Sequence, residues 1–418
     1  MRPRYFYPAI FLAPVIILLI ALSQAIKPSP KPLRVKLGNE LFVKNVAPCL
    51  KGQRLGLVVN QTSRLPNGQS LITALLEKGC SVNAIFSPEH GFSGKVEGGS
   101  QVKNSRFQNI KIYSLYGSTK KPTPDQCSQV DAFVFDIQDV GTRFYTYITT
   151  LKYILQAAAE AGKDVYVLDR PNPAGGLIVE GPLLRSQFKS FIGSLPLPLR
   201  YGLTIGELAL MMKREGWVDK KVKLEVVAMK NWKREFLWTE TGLTWIPSSP
   251  NMPTSETALA YPGTGLLGGV NLNQGLGTST PFLVIGAPWL DPNLVIQSLG
   301  EGHEFGLKLE EVNYIPSSLP GKVLHPPYEN RICRGIRLHF RPKDKVLSVR
   351  FTLALIKALK EHYPQKIKPK TDSLNLLFGS DLLVRYLEGK ISYEYLLLQI
   401  DQDEETFRKQ RIRFLLYN

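Results

Sequence analysis

The sequence predicts an α/β protein: a Rossmann-like, doubly wound parallel sheet followed by a second, smaller C-terminal α/β domain. Three observations predict it. Short apolar runs alternate with helix-spaced stretches from Arg54 onward. The runs are apolar on both faces, as a parallel sheet covered by helices on both sides requires. After residue 245 the composition shifts, and a Gly-, Pro- and Asn-rich segment separates this repeat from a different pattern.

The elements follow in order. "LGLVV" (55–59), "VNAIF" (82–86), "IKIYSL" (110–115), "DAFVFDI" (131–137) and "DVYVL" (164–168) are each of strand length. Between them "SLITALLEKG" and "YTYITTLKYILQAAAEAG" carry helical spacing and stop on Gly79 and Gly162, as helices commonly do. The stretch from Trp245 to Phe282 reads as a long loop, a kind of segment that often carries function. Beyond it come helical stretches, the β-like "GIRLHF" (335–340) and a final helix near "DEETFRKQRIRFLLY". A chain of 418 residues exceeds what one small core organises.

The first residues set the compartment. Arg2 and Arg4 precede the apolar "AIFLAPVIILLIAL", and "SQA" ends at Ala25. This is the pattern of a secretory signal, or of an uncleaved membrane anchor. Either places the body outside the cytoplasm, periplasmic or secreted. The domain reading is therefore 1–25 signal peptide or anchor, 26–37 linker, 38–254 Rossmann-like catalytic domain and 255–418 smaller domain closing a cleft. "KPSPKP" (27–32) supplies the extended linker.

Lys and Arg outnumber Asp and Glu by 52 to 35, for a net charge of +17. Such a field favours anionic partners such as nucleic acid, anionic lipid or an acidic wall polymer. No nucleic-acid-reading motif is present and the aromatics are not interleaved with Arg, so nucleic acid is not expected. Cys49, Cys80, Cys127 and Cys333 lack ligand spacing, and the histidines (90, 303, 325, 339, 362) are scattered, so neither a metal nor a cofactor is expected. "GTGLLG" (263–268) spells a dinucleotide motif, but Pro262 precedes it and no helix pattern follows. A Walker-type phosphate loop is absent.

Each early strand runs into polar residues at its carboxyl end, where open α/β sheets bind ligands. These are Asn60-Gln61-Thr62, Ser87-Pro88-Glu89-His90, Tyr116-Gly117, Asp136-Ile137-Gln138-Asp139 and Asp169-Arg170-Pro171-Asn172. Glu89, in a pocket flanked by Phe86 and Phe92, is the candidate general acid; the alternative is a turn cap or an ion pair with Arg143. His90 is the candidate orienting group. In "FDIQDVGTRFYTYITTL" Asp136 sits inside the apolar run and calls for Arg143 as its buried partner. Asp139 is freer to face a ligand, and Tyr145 and Tyr147 either stack on a sugar or begin the next helix. "LDRPNPAGGLIVEGP" adds Asp169, Arg170, Asn172 and Glu180 on a turn stiffened by two prolines.

"FSPEHGFSG", "YSLYG", "FDIQDVGTRFYTYI", "VLDRPNPAGG", "SSPNMP", "YPGTGLLGGVNLNQGLGT" and "GAPWLD" occur in the order found in the NamZ-type exo-β-N-acetylmuramidases, a glycoside hydrolase family long known only as a domain of unknown function. The resemblance runs from about residue 38 to the terminal "FRKQRIRFLLY". It implies a cleft between two domains and release of terminal N-acetylmuramic acid from peptidoglycan fragments or muropeptides. It places the catalytic Glu on Glu89, with Asp139, Asp169 and Glu180 as candidates for a second carboxylate. Arg143 or Arg170 is expected to bind the lactyl carboxylate of muramic acid. Asn60, Gln138, Tyr145, Asn172, Asn251 and Asn271 complete the expected binding set. The sequence departs from the family pattern at Ser100 and Gly268, where an acid is usual, at Tyr201, where His is usual, and at Leu276, where Arg is usual. A catalytically silent peptidoglycan-binding protein on the same fold is the alternative reading.

Overall fold

The structure, a computed structural model, describes Met1, Pro3, residues 33–341 and residues 345–418. Apart from Met1 and Pro3, the expected leader and the "KPSPKP" linker lie outside the described residues. Packing divides the chain into Met1–Arg34 and Val35–Asn418, and every element named below belongs to the second unit. Among the described residues no helix is long and apolar enough to cross a membrane.

The first half alternates helix and strand: α1 (Gly38–Asn45), β1 (Arg54–Val59), α2 (Leu71–Glu77), β2 (Ser81–Ser87), β3 (Ser105–Phe107), β4 (Ile110–Ser114), α3 (Pro124–Ser128), β5 (Ala132–Asp136), α4 (Tyr147–Ala161), β6 (Asp164–Leu168), α5 (Ile205–Arg214) and β7 (Lys223–Val227). The strands form one seven-stranded sheet in the order β3-β4-β2-β1-β5-β6-β7. All neighbouring pairs are parallel except β3 with β4, an antiparallel edge hairpin. β5 is buried along its whole length and β1 along all but its first residue. That double-sided burial is the physical content of their continuous apolar runs.

Each face of the sheet has its own core. Ile148, Leu151 and Leu155 of α4 and Leu208, Met211 and Met212 of α5 pack on one side. Phe42 and Val43 of α1 with Leu71 and Leu75 of α2 pack on the other. Local signals set the helix ends. Ser70 accepts from the Thr73 N–H at 3.1 Å, Thr204 and Glu207 form a capping box, and α4 ends on Gly162 in the left-handed region.

The second half holds α6 (Ser255–Thr264), β8 (Val284–Ala287), α7 (Pro292–Ser298), β9 (Leu307–Tyr314), β10 (Cys333–Phe340), α8 (Ser348–His362), α9 (Thr371–Phe378), α10 (Leu382–Leu387) and α11 (Tyr393–Arg411). β8, β10 and β9 make a small antiparallel sheet in that order. The stretch expected to be a loop from 245 to 282 contains α6, a helix with Pro262 inside it. Close packing explains it: a Cβ at Gly263 would come within 1.8 Å of the Ser348 carbonyl oxygen. The "GTGLLG" residues end α6 and enter a short 3-10 turn over Gly265–Gly269, with no strand before them.

The chain then returns to the first sheet. Phe407 of α11 and Phe414 beyond it join that sheet's core. Tyr417 donates from its hydroxyl to Asp169 at 2.5 Å, just beyond β6. The four cysteines are free thiols, with Cys49 exposed and the others buried.

Candidate active site

Glu89 follows β2 at the sheet's carboxyl edge and is half-buried. Its Oε2 accepts from the Thr146 hydroxyl at 2.6 Å and its Oε1 from the Gly99 N–H at 3.0 Å. Thr146 caps α4, so the carboxylate is aimed by the element that follows β5 as well as by its own loop. Among the described residues Glu89 makes no ion pair, so the expected alternative of an Arg143 partner is not formed. The aromatic neighbours are tyrosines. Burial, then the charge of Glu89, push the Tyr116 hydroxyl up to about 12. Burial followed by neighbouring charges, Glu89 among them, raises Tyr147 and Tyr261 as well. Phe86 and Phe92, expected to flank Glu89, are engaged elsewhere: Phe86 against Tyr113 and Phe133, and Phe92 edge-on to Phe107.

The Glu89 loop is tightly wound. His90 has φ 68°, in the left-handed region that costs a non-glycine residue strain. His90 Nδ1 lies 2.8 Å from the Val96 carbonyl oxygen. A carbonyl only accepts, so Nδ1 carries a proton. Gly94 approaches Gln61 so closely that a Cβ there would meet the Gln61 amide at 2.0 Å.

Buried polar atoms without partners gather at the same edge. Ser87 Oγ at the end of β2, Asn60 Nδ2 beyond β1, and Gln138 Oε1 and Asp139 Oδ1 beyond β5 have no hydrogen-bond partner among the described residues. β2, β1 and β5 are adjacent, so these donors and acceptors come from neighbouring strand ends. Unsatisfied buried groups are rare and costly, and a cluster of them marks where a polar ligand or ordered water completes the network. The rest of each side chain is held. Asn60 Oδ1 accepts from the Thr62 hydroxyl at 2.6 Å, and Gln138 Nε2 donates to the Asp139 and Pro171 carbonyls, both at 2.8 Å.

Asp139 is the second carboxylate at this edge. Its Oδ2 accepts from the Tyr201 hydroxyl and from the Gly141 N–H at 2.8 Å. Burial pushes its carboxyl up to about 6, against the opposing pull of those donors. Tyr201 stands where the family resemblance leads one to expect His. Tyr145 and Tyr147 meet edge-on at 4.8 Å. Their hydroxyls both reach Ser248, Tyr145 to Oγ at 2.9 Å and Tyr147 to the carbonyl at 2.6 Å. Burial above all raises both hydroxyls, with smaller contributions from the charge of Asp139 at Tyr145 and of Glu89 at Tyr147.

Other expected site residues are occupied by architecture. Asp136 pairs with Arg170 at 2.6 Å, not with Arg143. β6 lies beside β5, so Arg170 just past β6 reaches Asp136 laterally. The fully buried Arg143 instead donates to three carbonyls, Pro182 at 2.8 Å, Leu197 at 2.7 Å and Leu377 at 3.0 Å. Both guanidinium groups are buried; Arg170 Nη2 has no hydrogen-bond partner among the described residues. Asp169 accepts from Tyr417, from Thr204 at 2.8 Å and from the Gly206 N–H at 2.7 Å. Glu180 bridges Arg200 at 3.1 Å and caps α8 through the Val349 and Arg350 N–H groups. Asn172 spans the Ala174 N–H and the Leu203 carbonyl, and Asn271 ties to Lys366 and Lys368. Asn251 donates to the Lys322 carbonyl at 3.0 Å. Tyr145 is packed between Tyr147 and Tyr261 rather than set with a face open for sugar stacking.

Thr146 and Ser248 join the site without having been singled out as site residues. Thr146 lies in the quoted "FYTYI", but only the fold shows that it caps α4 facing Glu89. Among the described residues no group of three or more His, Cys, Asp or Glu side chains is placed to hold a metal ion. Hollows of about 750 Å³ and about 660 Å³ are lined around Arg350 and Arg234 respectively and include none of Glu89, His90 or Asp139. A third, of about 570 Å³, borders the Glu89 loop at Ser93, Gly94 and Lys95.

A glutamate held by fixed donors and a second, buried carboxylate lie on the carboxyl edge of a mostly parallel sheet, where open α/β sheets bind ligands, and the family match below makes this an α/β glycosidase. The described family "Exo-beta-N-acetylmuramidase NamZ" matches through its N-terminal part over residues 55–256 and its C-terminal part over residues 259–417. The chain is 37% identical over 391 residues to the peptidoglycan β-N-acetylmuramidase NamZ of Bacillus subtilis, covering 93% of this chain and 92% of that one. Crystal structures of two DUF1343 family proteins from Bacteroides fragilis share the fold. One has TM-score 0.84 at 32% identity, covering 93% of this chain and 100% of the other. The second has TM-score 0.75 at 30% identity, covering 92% and 99%. The chain belongs to the NamZ exo-β-N-acetylmuramidase family.

Proposed function

We propose that this protein is an exported glycoside hydrolase that releases terminal N-acetylmuramic acid from peptidoglycan fragments, with Glu89 as general acid/base. The observation that carries this reading is the Glu89 carboxylate: half-open, free of any cation among the described residues, and fixed by the Thr146 hydroxyl and the Gly99 N–H. A general acid must be held in place and still be reachable, and that arrangement meets both conditions.

In this reading the protonated Glu89 gives its proton to the glycosidic oxygen as the bond to the anomeric carbon breaks; a water molecule then bonds to that carbon and gives a proton to the ionised Glu89, which frees N-acetylmuramic acid and restores the acid. Asp139 supplies the second carboxylate beside the ring. His90 positions the loop through its Nδ1–H to Val96. The unpartnered Asn60 and Gln138 atoms take up sugar hydroxyl and amide groups. Export, with the segment 1–25 as cleaved signal or retained anchor, is supported by Arg2, Arg4 and the apolar run after them.

The test is product analysis. Purified protein is incubated with glycan strands carrying N-acetylmuramic acid at the non-reducing end. The reading predicts that free N-acetylmuramic acid appears as the first and only monosaccharide. Tight binding of the strands with no monosaccharide released would instead establish a wall-binding protein.

A further inference from the structure

Arg143 and Arg170 are both buried, whereas the hollow of about 570 Å³ beside the Glu89 loop presents two exposed cations. We infer that Lys95 and Lys322 form an anion subsite that receives the lactyl carboxylate of the terminal sugar. This rests on the proposed function and deepens it, since it names the groups that distinguish muramic acid from glucosamine.

Lys95 lies six residues after Glu89 on the same tightly wound loop. Lys322 lies on a turn of the second half, where the Val323 N–H returns to Leu319 at 2.9 Å. Two contacts bind the segments together. Glu97 accepts from the Leu324 N–H at 3.0 Å, and Asn251 donates to the Lys322 carbonyl at 3.0 Å. Both lysines are exposed and line the hollow, and among the described residues neither ammonium makes an ion pair or hydrogen bond. Glu97, the acid nearest them in sequence, is turned to backbone.

The walls are rigid. Pro247, Pro250, Pro253 and Pro320 line the hollow, and proline holds its backbone at little entropic cost on binding. Gln61, also on the lining, is pinned by donating to the Pro247 carbonyl at 2.8 Å and the Ser248 carbonyl at 3.0 Å. Ser248 is the residue that holds Tyr145 and Tyr147, which flank Thr146 and so Glu89. A chain of contacts through Gln61, Ser248 and the two tyrosines thus links the hollow to the catalytic candidate. Two ammonium groups lining one rigid hollow suit a carboxylate.

The experiment measures binding of N-acetylmuramic acid and N-acetylglucosamine to the full chain by calorimetry, for wild type, Lys95→Met, Lys322→Met and the double variant. The two sugars differ in the lactyl group, so their affinity ratio reports the subsite whether or not turnover occurs. We expect wild type to favour N-acetylmuramic acid by about tenfold or more, each single variant to shrink the ratio, and the double variant to bring it near one. Lys322→Arg should retain the preference. No preference in wild type, or one that survives the double variant, overturns the subsite. Turnover assayed in parallel separates the two claims. A lysine-dependent preference without cleavage sinks the hydrolase reading alone, and cleavage without lysine dependence sinks the subsite alone.

Discussion

The Thr146 hydroxyl donates to Glu89 Oε2 at 2.6 Å, joining the cap of α4 to the loop after β2. This bond spans two crossover connections of the sheet, so the carboxylate is oriented by the fold and not by its own loop alone. Removing the donor with Thr146→Val should lower kcat by about 3- to 10-fold, the worth of one hydrogen bond to a protonated carboxyl, and leave KM within a small factor. Steady-state kinetics on a soluble muramic-acid glycoside checks it. A change confined to KM would mean that Thr146 serves substrate binding instead.

Asp139 gives the site a pH signature. Its ordinary value of 3.8 is raised to about 6 by burial. Between those values the unfolded chain has lost its proton while the folded one keeps it. Stability therefore falls as pH rises from about 4 to about 6, by at most about 3 kcal/mol. Asp139→Asn lacks this slope, so denaturant unfolding of the two proteins from pH 4 to 7 should diverge over that window. Parallel curves would show that Asp139 does not hold its proton in the folded state.

Tyr201 acts on the same group in the opposite sense, since its hydroxyl lowers the Asp139 value. Tyr201→Phe should move Asp139 further up. If Asp139 must be ionised for turnover, the acidic limb of kcat/KM shifts to higher pH, and a pH–rate profile reads the shift directly. An unmoved limb would detach Asp139 from the reaction.

The Glu180–Arg200 pair tests the structural assignment. Both side chains are buried, and Arg200 also donates to Val346 and Ala174. Arg200→Met leaves a buried carboxylate over the start of α8 and should cost about 3–5 kcal/mol. Replacing Glu180 and Arg200 together with apolar residues should cost less than the single change. Urea unfolding of the three proteins gives the comparison.

The strands at the centre of the sheet were legible because burial on both faces leaves an unbroken apolar run, as in β1 and β5. β7 was not, because it is an edge strand whose "KLEVV" mixes exposed and half-buried positions. α6 was hidden by Pro262 and Gly263, residues that close packing against Ser348 requires. At the site, Glu89, Asn60, Gln138 and Asp139 could be read from their place just after apolar runs. The partner of Asp136 could not. Arg143 is nearer in sequence, but strand adjacency, which no local pattern encodes, gives the position to Arg170. Asp169 and Glu180 sit on a stiff loop for a similar reason: they hold the tail and α8, contacts contributed from more than a hundred residues away.

The central claim is that Glu89 protonates the leaving group, and leaving-group dependence in Glu89→Gln tests it most directly. Two substrates are compared, a terminal N-acetylmuramic acid linked to a sugar and one linked to an activated aryl group that departs without protonation. The account predicts that Glu89→Gln loses about 10³-fold or more on the sugar glycoside and far less on the aryl glycoside. Equal losses on both, or no loss on either, would contradict it.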